Sequence, residues 1–303
     1  MKHVLSVSLG SSKRDFSETL TLLGQEVTVK RLGTDGDVKR AAALIHELDT
    51  GVYGSVDAIG LGGLDLYFYV GERRYTLRQG AQLAAQAKTT PVVCGAGLKG
   101  SLERVVVDKL NSKVPLEGKT VLMVSAVDRF GMAEALTQTG AQVAFGDLAF
   151  ALGIPKLICS VRQLRALAGG LLPMITKLPI SVLYPTGDAQ EKGQKLSPFY
   201  QRAYGEADVI AGDWHFIRRY LPERLTGKIV LTNTTTQGDA ELLRQRGATL
   251  LVTTTPRLGG RSVATNVLEA AFVAVTGGKL LSPAALSGYV AQSGLNGTFI
   301  KLN

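Results

Sequence analysis

A chain of 303 residues has room for two domains of ordinary size, each with its own core. Apolar residues make up 45% and charged residues 19%, with no proline-rich, glutamine-rich or single-sign tract, which excludes a disordered chain. No run reaches the roughly 18 uninterrupted apolar residues of a membrane helix, and the formal charge of +9 is scattered without interleaved aromatics, so no membrane and no nucleic-acid partner is expected.

The start, MKHVLSVSLGSSKRDF, reaches Ser6 and Ser8 before any long apolar run and has no cleavage pattern, so a cytoplasmic protein with a first strand at His3 to Ser8 is expected. Further strands are read at Glu26 to Arg31, Val56 to Leu61 and Pro91 to Cys94. Apolar spacing near 3.6 residues predicts helices over Lys39 to Leu48 and Tyr75 to Ala87, and Leu66 to Tyr75 reads as a hairpin turning at Gly71-Glu72. A helix Ser101 to Leu110 leads into the polar, proline-containing stretch Asn111 to Gly118, a domain boundary.

A second series follows, with strands at Thr120 to Val124, Gln142 to Phe145, Ile180 to Tyr184, Val209 to Ala211, Ile229 to Thr232 and Thr249 to Thr253, then helices Ala264 to Val275 and Pro283 to Ala291, which are expected to return to pack on the first domain. Short apolar runs alternating with helical segments predict an α/β fold of two domains. The division read is an N-terminal α/β substrate domain over 1–112, a Rossmann-type doubly wound parallel sheet over 117–280, and a C-terminal helix and tail, 281–303, packing back on the first domain.

The segment Gly118 to Asp147 has the layout of a nucleotide-binding β-α-β unit, with a turn to hold a pyrophosphate and Asp147 placed to take ribose hydroxyls. Ser125 and Val127 stand where two fingerprint glycines belong, Gly131 is the helix-packing glycine, and Asp128 would repel a phosphate that Arg129 beside it attracts. If a cofactor binds, Asp147 favours NAD over NADP. Asn233, Thr234 and Thr254 lie at the carboxyl ends of strands, where a nicotinamide ribose would sit, with Arg257 and Arg261 nearby for an anion.

Gly10-Ser11-Ser12-Lys13-Arg14, after the first strand, suits a carboxylate or phosphate. Arg73, Arg74 and Arg78 are further basic candidates, with a solvated surface the commoner outcome. Cys94 and Cys159, far apart in apolar surroundings, are expected buried and reduced, and His3, His46 and His215 are not spaced as metal ligands, so no metal is expected. His215 follows Asp213-Trp214 after a strand end, within reach of a cleft.

A small α/β domain followed by a Rossmann domain and closed by C-terminal helices resembles the shikimate and quinate dehydrogenase family. More narrowly, SVSLGSSKRDF, IGLGGLDLY, TPVVCGAGLKGSLER and FGDLAFALGIP resemble bacterial proteins carried under the name quinate 5-dehydrogenase. The resemblance implies an NAD(P)-dependent oxidoreductase acting on a small anionic substrate, a hydroxylated carboxylic acid. Ser8, Ser11, Ser12, Lys13, Arg14 and Arg261 would bind it, and Lys99 would relay the proton with a pKa depressed in a dry site. The family's paired aspartate, in an Asn-Thr-Asp motif, has no counterpart; Asp65 and Asp108 substitute by chemistry only. The second reading is a non-catalytic or differently reactive protein that binds a small anion or nucleotide between two α/β domains. A homodimer is compatible with either.

Overall fold

The computed structural model describes residues 1–178 and 196–303. Strand β1 (Lys2–Ser8) leads through a 3-10 turn at Ser12–Arg14 into β2 (Phe16–Leu22) and β3 (Gln25–Gly33). The sequence reading has no β2, although Ser17, Thr19 and Thr21 point out and Phe16, Leu20 and Leu22 point in with the period of a strand. The inward Glu18 breaks the apolar signal. β2 and β3 pair as an antiparallel hairpin, whose turn holds Leu23 and Gly24 at φ 50° and 75°, matching the twist of its strands.

Helix α1 (Val38–Asp49) is capped by the Asp37 carboxylate, which accepts the Arg40 N–H at 2.9 Å, and buries Ala41, Leu44, Ile45 and Leu48 at helical spacing. Strand β4 (Ala58–Gly62) follows, then the expected hairpin of β5 (Tyr67–Val70) and β6 (Arg73–Thr76), helix α2 (Arg78–Ala84), strand β7 (Val92–Val93) and helix α3 (Ala96–Lys113). The first sheet runs β2-β3-β1-β4-β7, parallel apart from β2.

The second series gives β8 (Thr120–Met123), a 3-10 turn at Val127–Arg129, α4 (Phe130–Gln138), β9 (Gln142–Phe145), α5 (Asp147–Phe150) and α6 (Val161–Ile175). After it come α7 (Pro198–Glu206), β10 (Val209–Ala211), α8 (Trp214–Arg219), β11 (Ile229–Thr232), α9 (Gln237–Gln245) and β12 (Leu250–Thr253). The short hairpin β13 (Arg257–Leu258) and β14 (Arg261–Ser262) precedes α10 (Thr265–Val275), α11 (Pro283–Ser293) and β15 (Thr298–Lys301). The expected strand Ile180 to Tyr184 lies outside the described residues. The second sheet is β15-β12-β11-β10-β8-β9, parallel except for β15. The protein is thus a two-lobe α/β fold.

Two boundaries differ from the sequence reading. Helix α10, placed within 117–280 but expected to return to the first domain, does pack on β1 and β4 of the first sheet, because its residues are apolar almost all round and every one is buried. The tail after α11, read as packing on the first domain, instead adds β15 to the edge of the second sheet, Leu251 opposite Ile300. Among the described residues the chain therefore crosses between lobes three times, after α3, after the β13–β14 hairpin and after α11. Each sheet reverses its strand order beside its first strand, at β1 and at β8. The two switch points face one another and leave a cleft at the carboxyl ends of the strands, where open α/β sheets bind ligands.

Candidate functional site

The cleft encloses a cavity of about 200 Å³, walled in the first lobe by Ser8, Arg14, Arg31 and Asp65 and in the second by Asp128, His215 and Asn233. Its floor is a chain of charges, with Lys99, Glu103 and Arg129 buried and Asp65, Asp128 and Asp213 half-buried. Lys99 sits in the first turn of α3, its Nζ 2.9 Å from Asp65 and 3.5 Å from Asp128, so a first-lobe lysine lies between a carboxylate of each lobe. Arg129, from the turn after β8, pairs with Glu103 of α3 and donates to Asp213 at 3.1 Å. Asp213 also accepts from Asn233 Nδ2 at 2.8 Å and from the His215 N–H at 2.9 Å.

Burial alone would push the Lys99 ammonium down; Asp65 and Asp128 more than offset it and hold it above the ordinary lysine value. This corrects the expected depressed lysine. Burial and the neighbouring Asp128 hold Asp65 above the usual carboxylate range despite Lys99. Burial likewise opposes ionisation of Asp213, but Arg129 and His215 keep it well below that range.

The outer wall is cationic. Arg31 Nη1 is 2.7 Å from Asp15 and its Nη2 donates to Ser8 Oγ at 3.0 Å. Arg261, at the start of β14, lies over the Phe16 ring at 5.3 Å and donates to the Arg14 backbone carbonyl. Arg14 Nη1 faces His215 Nε2 at 3.5 Å. Burial lowers the His215 pKa, the Asp213 carboxylate opposes that shift and the charge of Arg14 adds to it.

Of the sequence candidates, the structure brings Ser8, Arg14, Asp65, Lys99, Asp128, Arg129, Asn233, Thr234, His215 and Arg261 to one cavity. Ser12 and Lys13 are exposed outside it, and Ser11 Oγ accepts the Lys13 N–H as a turn cap. Arg257 is spent on Thr235 and Gln237, and Thr254 is buried outside the cavity. Arg73 and Arg74 lie on the hairpin surface over Tyr75 and Tyr67, and Arg78 is exposed. Cys94 is buried as expected, but Cys159 is exposed. Arg31 is missing from the sequence reading. Its signal is positional: it shares a strand face with the buried Val27 and Val29, where a cation needs a partner.

Helix α3 starts at Ala96, five residues before the expected Ser101. The Gly-rich run reads as a loop, yet Gly95 at φ 91° is needed because a Cβ there would lie 2.7 Å from the Asn266 nitrogen of α10. The Glu269 side chain of α10 faces this helix start, its Oε1 2.9 Å from where a Cβ on Gly97 would lie, and burial pushes its carboxyl up to about 7 against the pull of the Gly97 and Gly95 amides.

The turn after β8 does not fit a pyrophosphate. Asp147 does not face outward to a ribose: its Oδ1 accepts the Ala126 and Val127 N–H groups, each at 2.9 Å, spending the amides a phosphate would use. Above the turn lies a small apolar pocket lined by Val127 together with Leu167, Leu171 and Leu172 of α6. Gly131 serves helix packing, as expected, but against the first lobe, since a Cβ there would lie 3.0 Å from Gly100 Cα of α3.

A family model described as domain of unknown function (DUF8754) matches residues 97–302, and a second, described as domain of unknown function (DUF8753), matches residues 3–94. No curated protein matches the chain. Among solved structures, a galactofuranose-binding protein is 11% identical, with 98% of this chain and 99% of that one covered and a TM-score of 0.37. An ABC transporter solute-binding protein from Bacillus halodurans with bound myo-inositol is 12% identical, with 96% and 98% covered and a TM-score of 0.36. A substrate-binding protein of a sugar ABC transport system from Bordetella parapertussis is 14% identical, with 84% and 75% covered and a TM-score of 0.35. The expected membership in the shikimate and quinate dehydrogenase family is thereby corrected: the models that match residues 3–94 and 97–302 are those of two domains of unknown function. The NAD(P)-dependent oxidoreductase reading, which rested on that resemblance, falls with it.

Proposed function

We propose that this chain, which belongs to the family described as domain of unknown function (DUF8754), is a two-lobe binding protein that takes a small anion into the cleft between its lobes. One observation carries the reading. Arg14, Arg31 and Arg261 converge on one wall from three separate elements, and among the described residues neither Arg14 nor Arg261 has a carboxylate ion-pair partner. Two guanidiniums gathered beside a third repel one another unless an anion joins them. The cavity, about 200 Å³, suits a small molecule and is below the ~300 Å³ where sites for drug-sized ligands begin.

Thermal unfolding of the purified protein with sulfate, phosphate or acetate, against chloride at matched ionic strength, tests this. A saturable rise in Tm with at least one anion is expected, following the logarithmic dependence of stability on ligand concentration. The double variant Arg14→Ala, Arg261→Ala should lose that rise while still unfolding cooperatively. A response to every anion no larger than that to chloride, or an unchanged response in the double variant, sinks the reading.

A further inference from the structure

We infer that the anion taken by this cleft is the carboxylate of a small amino acid, whose ammonium group is held by Asp128; the inference rests on the anion-binding reading above. On the floor, Lys99 and Arg129 stand among Asp65, Asp128, Glu103 and Asp213. On the wall, Arg14, Arg31 and Arg261 gather around Phe16, which lies under Arg261 and pairs with Arg31 across the β2–β3 hairpin. Among the described residues their ion-pair partner is Asp15, on Arg31. Five cations thus meet five carboxylates, and Glu18 and Arg219 beside the wall cancel one another. The charges balance, but they are segregated: the floor is acidic and the wall basic.

The groups left unsatisfied decide what fits. Asp65 accepts from Lys99 at both oxygens, at 2.9 and 3.2 Å, and Asp213 accepts from Arg129, Asn233 and the His215 N–H. Asp128 differs. Its Oδ2 lies 3.5 Å from Lys99 and 3.7 Å from Arg129 Nε, and its Oδ1 accepts no hydrogen bond among the described residues, although the side chain is 13% exposed and lines the cavity. Arg14 ends the 3-10 turn after β1, and Asp128 lies in the 3-10 turn after β8, so the two follow the two switch-point strands. The first lobe therefore offers a guanidinium short of an anion, and the second a carboxylate short of a donor, at equivalent points of the cleft. A simple anion meets the first need and is repelled by the floor. A hydroxy acid adds one proton and no charge. An ammonium adds three protons and a positive charge, so an amino acid satisfies both lobes at once.

Thermal unfolding with each common amino acid at neutral pH finds the one that raises Tm most. Titration calorimetry at matched ionic strength then compares it with the carboxylate lacking the α-amino group and with the matching 2-hydroxy acid. The amino acid should bind at least about tenfold more tightly than either, the worth of one hydrogen bond between charged groups. In Asp128→Asn, checked for cooperative unfolding, that preference should shrink to about threefold or less, because an amide accepts without a charge. The ligand comparison uses the parent chain, so it decides even where the variant does not fold. A hydroxy acid or amine-free carboxylate that binds as tightly as the amino acid overturns the inference, as does an unchanged preference in Asp128→Asn. Silence from every amino acid beside a response to sulfate, phosphate or acetate also overturns it and leaves the anion-binding reading standing. Silence from amino acids and anions alike sinks both.

Discussion

Arg129 of the second lobe donates to Glu103 of the first, and each side chain is 1% exposed. A guanidinium carried by the turn after β8 is therefore buried against a helix that starts in the other sheet's lobe, and the pair fastens the cleft floor shut from behind.

Removing one member of such a pair strands the other without solvent, at a cost of about 3–5 kcal/mol, whereas replacing both with apolar residues of similar volume is often neutral. Arg129→Met should therefore lower the urea-unfolding free energy by about that much, because it also strands Asp213. The double variant Arg129→Met, Glu103→Leu should recover at least half of the loss. A single variant that costs less than about 1 kcal/mol would mean that the floor contributes little to holding the lobes together.

The crossing of α3 and α4 offers a paired test on two glycines in contact. A Cβ on Gly131 would lie 3.0 Å from both Gly100 Cα and the Gly100 carbonyl oxygen, while a Cβ on Gly100 would meet no atom within 4 Å. Gly131→Ala should cost about 1–3 kcal/mol by overpacking a backbone contact. Gly100→Ala, inside a helix with open space beside it, should stabilise by about 0.5–1 kcal/mol through reduced freedom of the unfolded chain. Thermal and urea unfolding of the two variants decide it. Effects of the same sign would contradict the packing described.

Sequence periodicity reveals most of the architecture because parallel strands buried on both faces are continuous apolar runs. β1, β4, β8, β11 and β12 fall within two residues of their expected bounds for this reason. β2 escapes because Glu18 points inward near Gly259, and α3 begins early because its glycines are there for contact with α10. Half of the site is legible as well: Ser8, Arg14, Asp65, Lys99 and Arg261 all reach the cleft. The rest depends on distance in space. No local pattern tells that Arg129 turns inward to Glu103, or that Arg31 meets Arg14 and Arg261 around Phe16. The misleading element is Asp147, whose offset from β8 is that of a ribose-binding carboxylate. Offset fixes where a carboxylate starts and leaves open which amides it bonds.

Asp147 also sets a pH signature. Its Oδ1 accepts two backbone N–H groups while its buried Oδ2 has no partner, and burial pushes the carboxyl up from 3.8 to about 6 against the pull of those amides. Between these two values the folded chain holds a proton that the unfolded chain has released. Stability must fall as pH rises through that window and level off above it. The shift corresponds to a penalty of about 3 kcal/mol once Asp147 is ionised. Asp147→Asn keeps an oxygen for the two amides and removes the titration. The variant should be more stable than the parent chain by up to about 3 kcal/mol near pH 8, and the gap should close below about pH 4. Taking the difference between the two proteins at each pH in urea unfolding cancels Glu269, which burial also raises, to about 7. A variant less stable than the parent at the higher pH would show that the ionised carboxylate is worth more to the Ala126–Val127 turn than its burial costs.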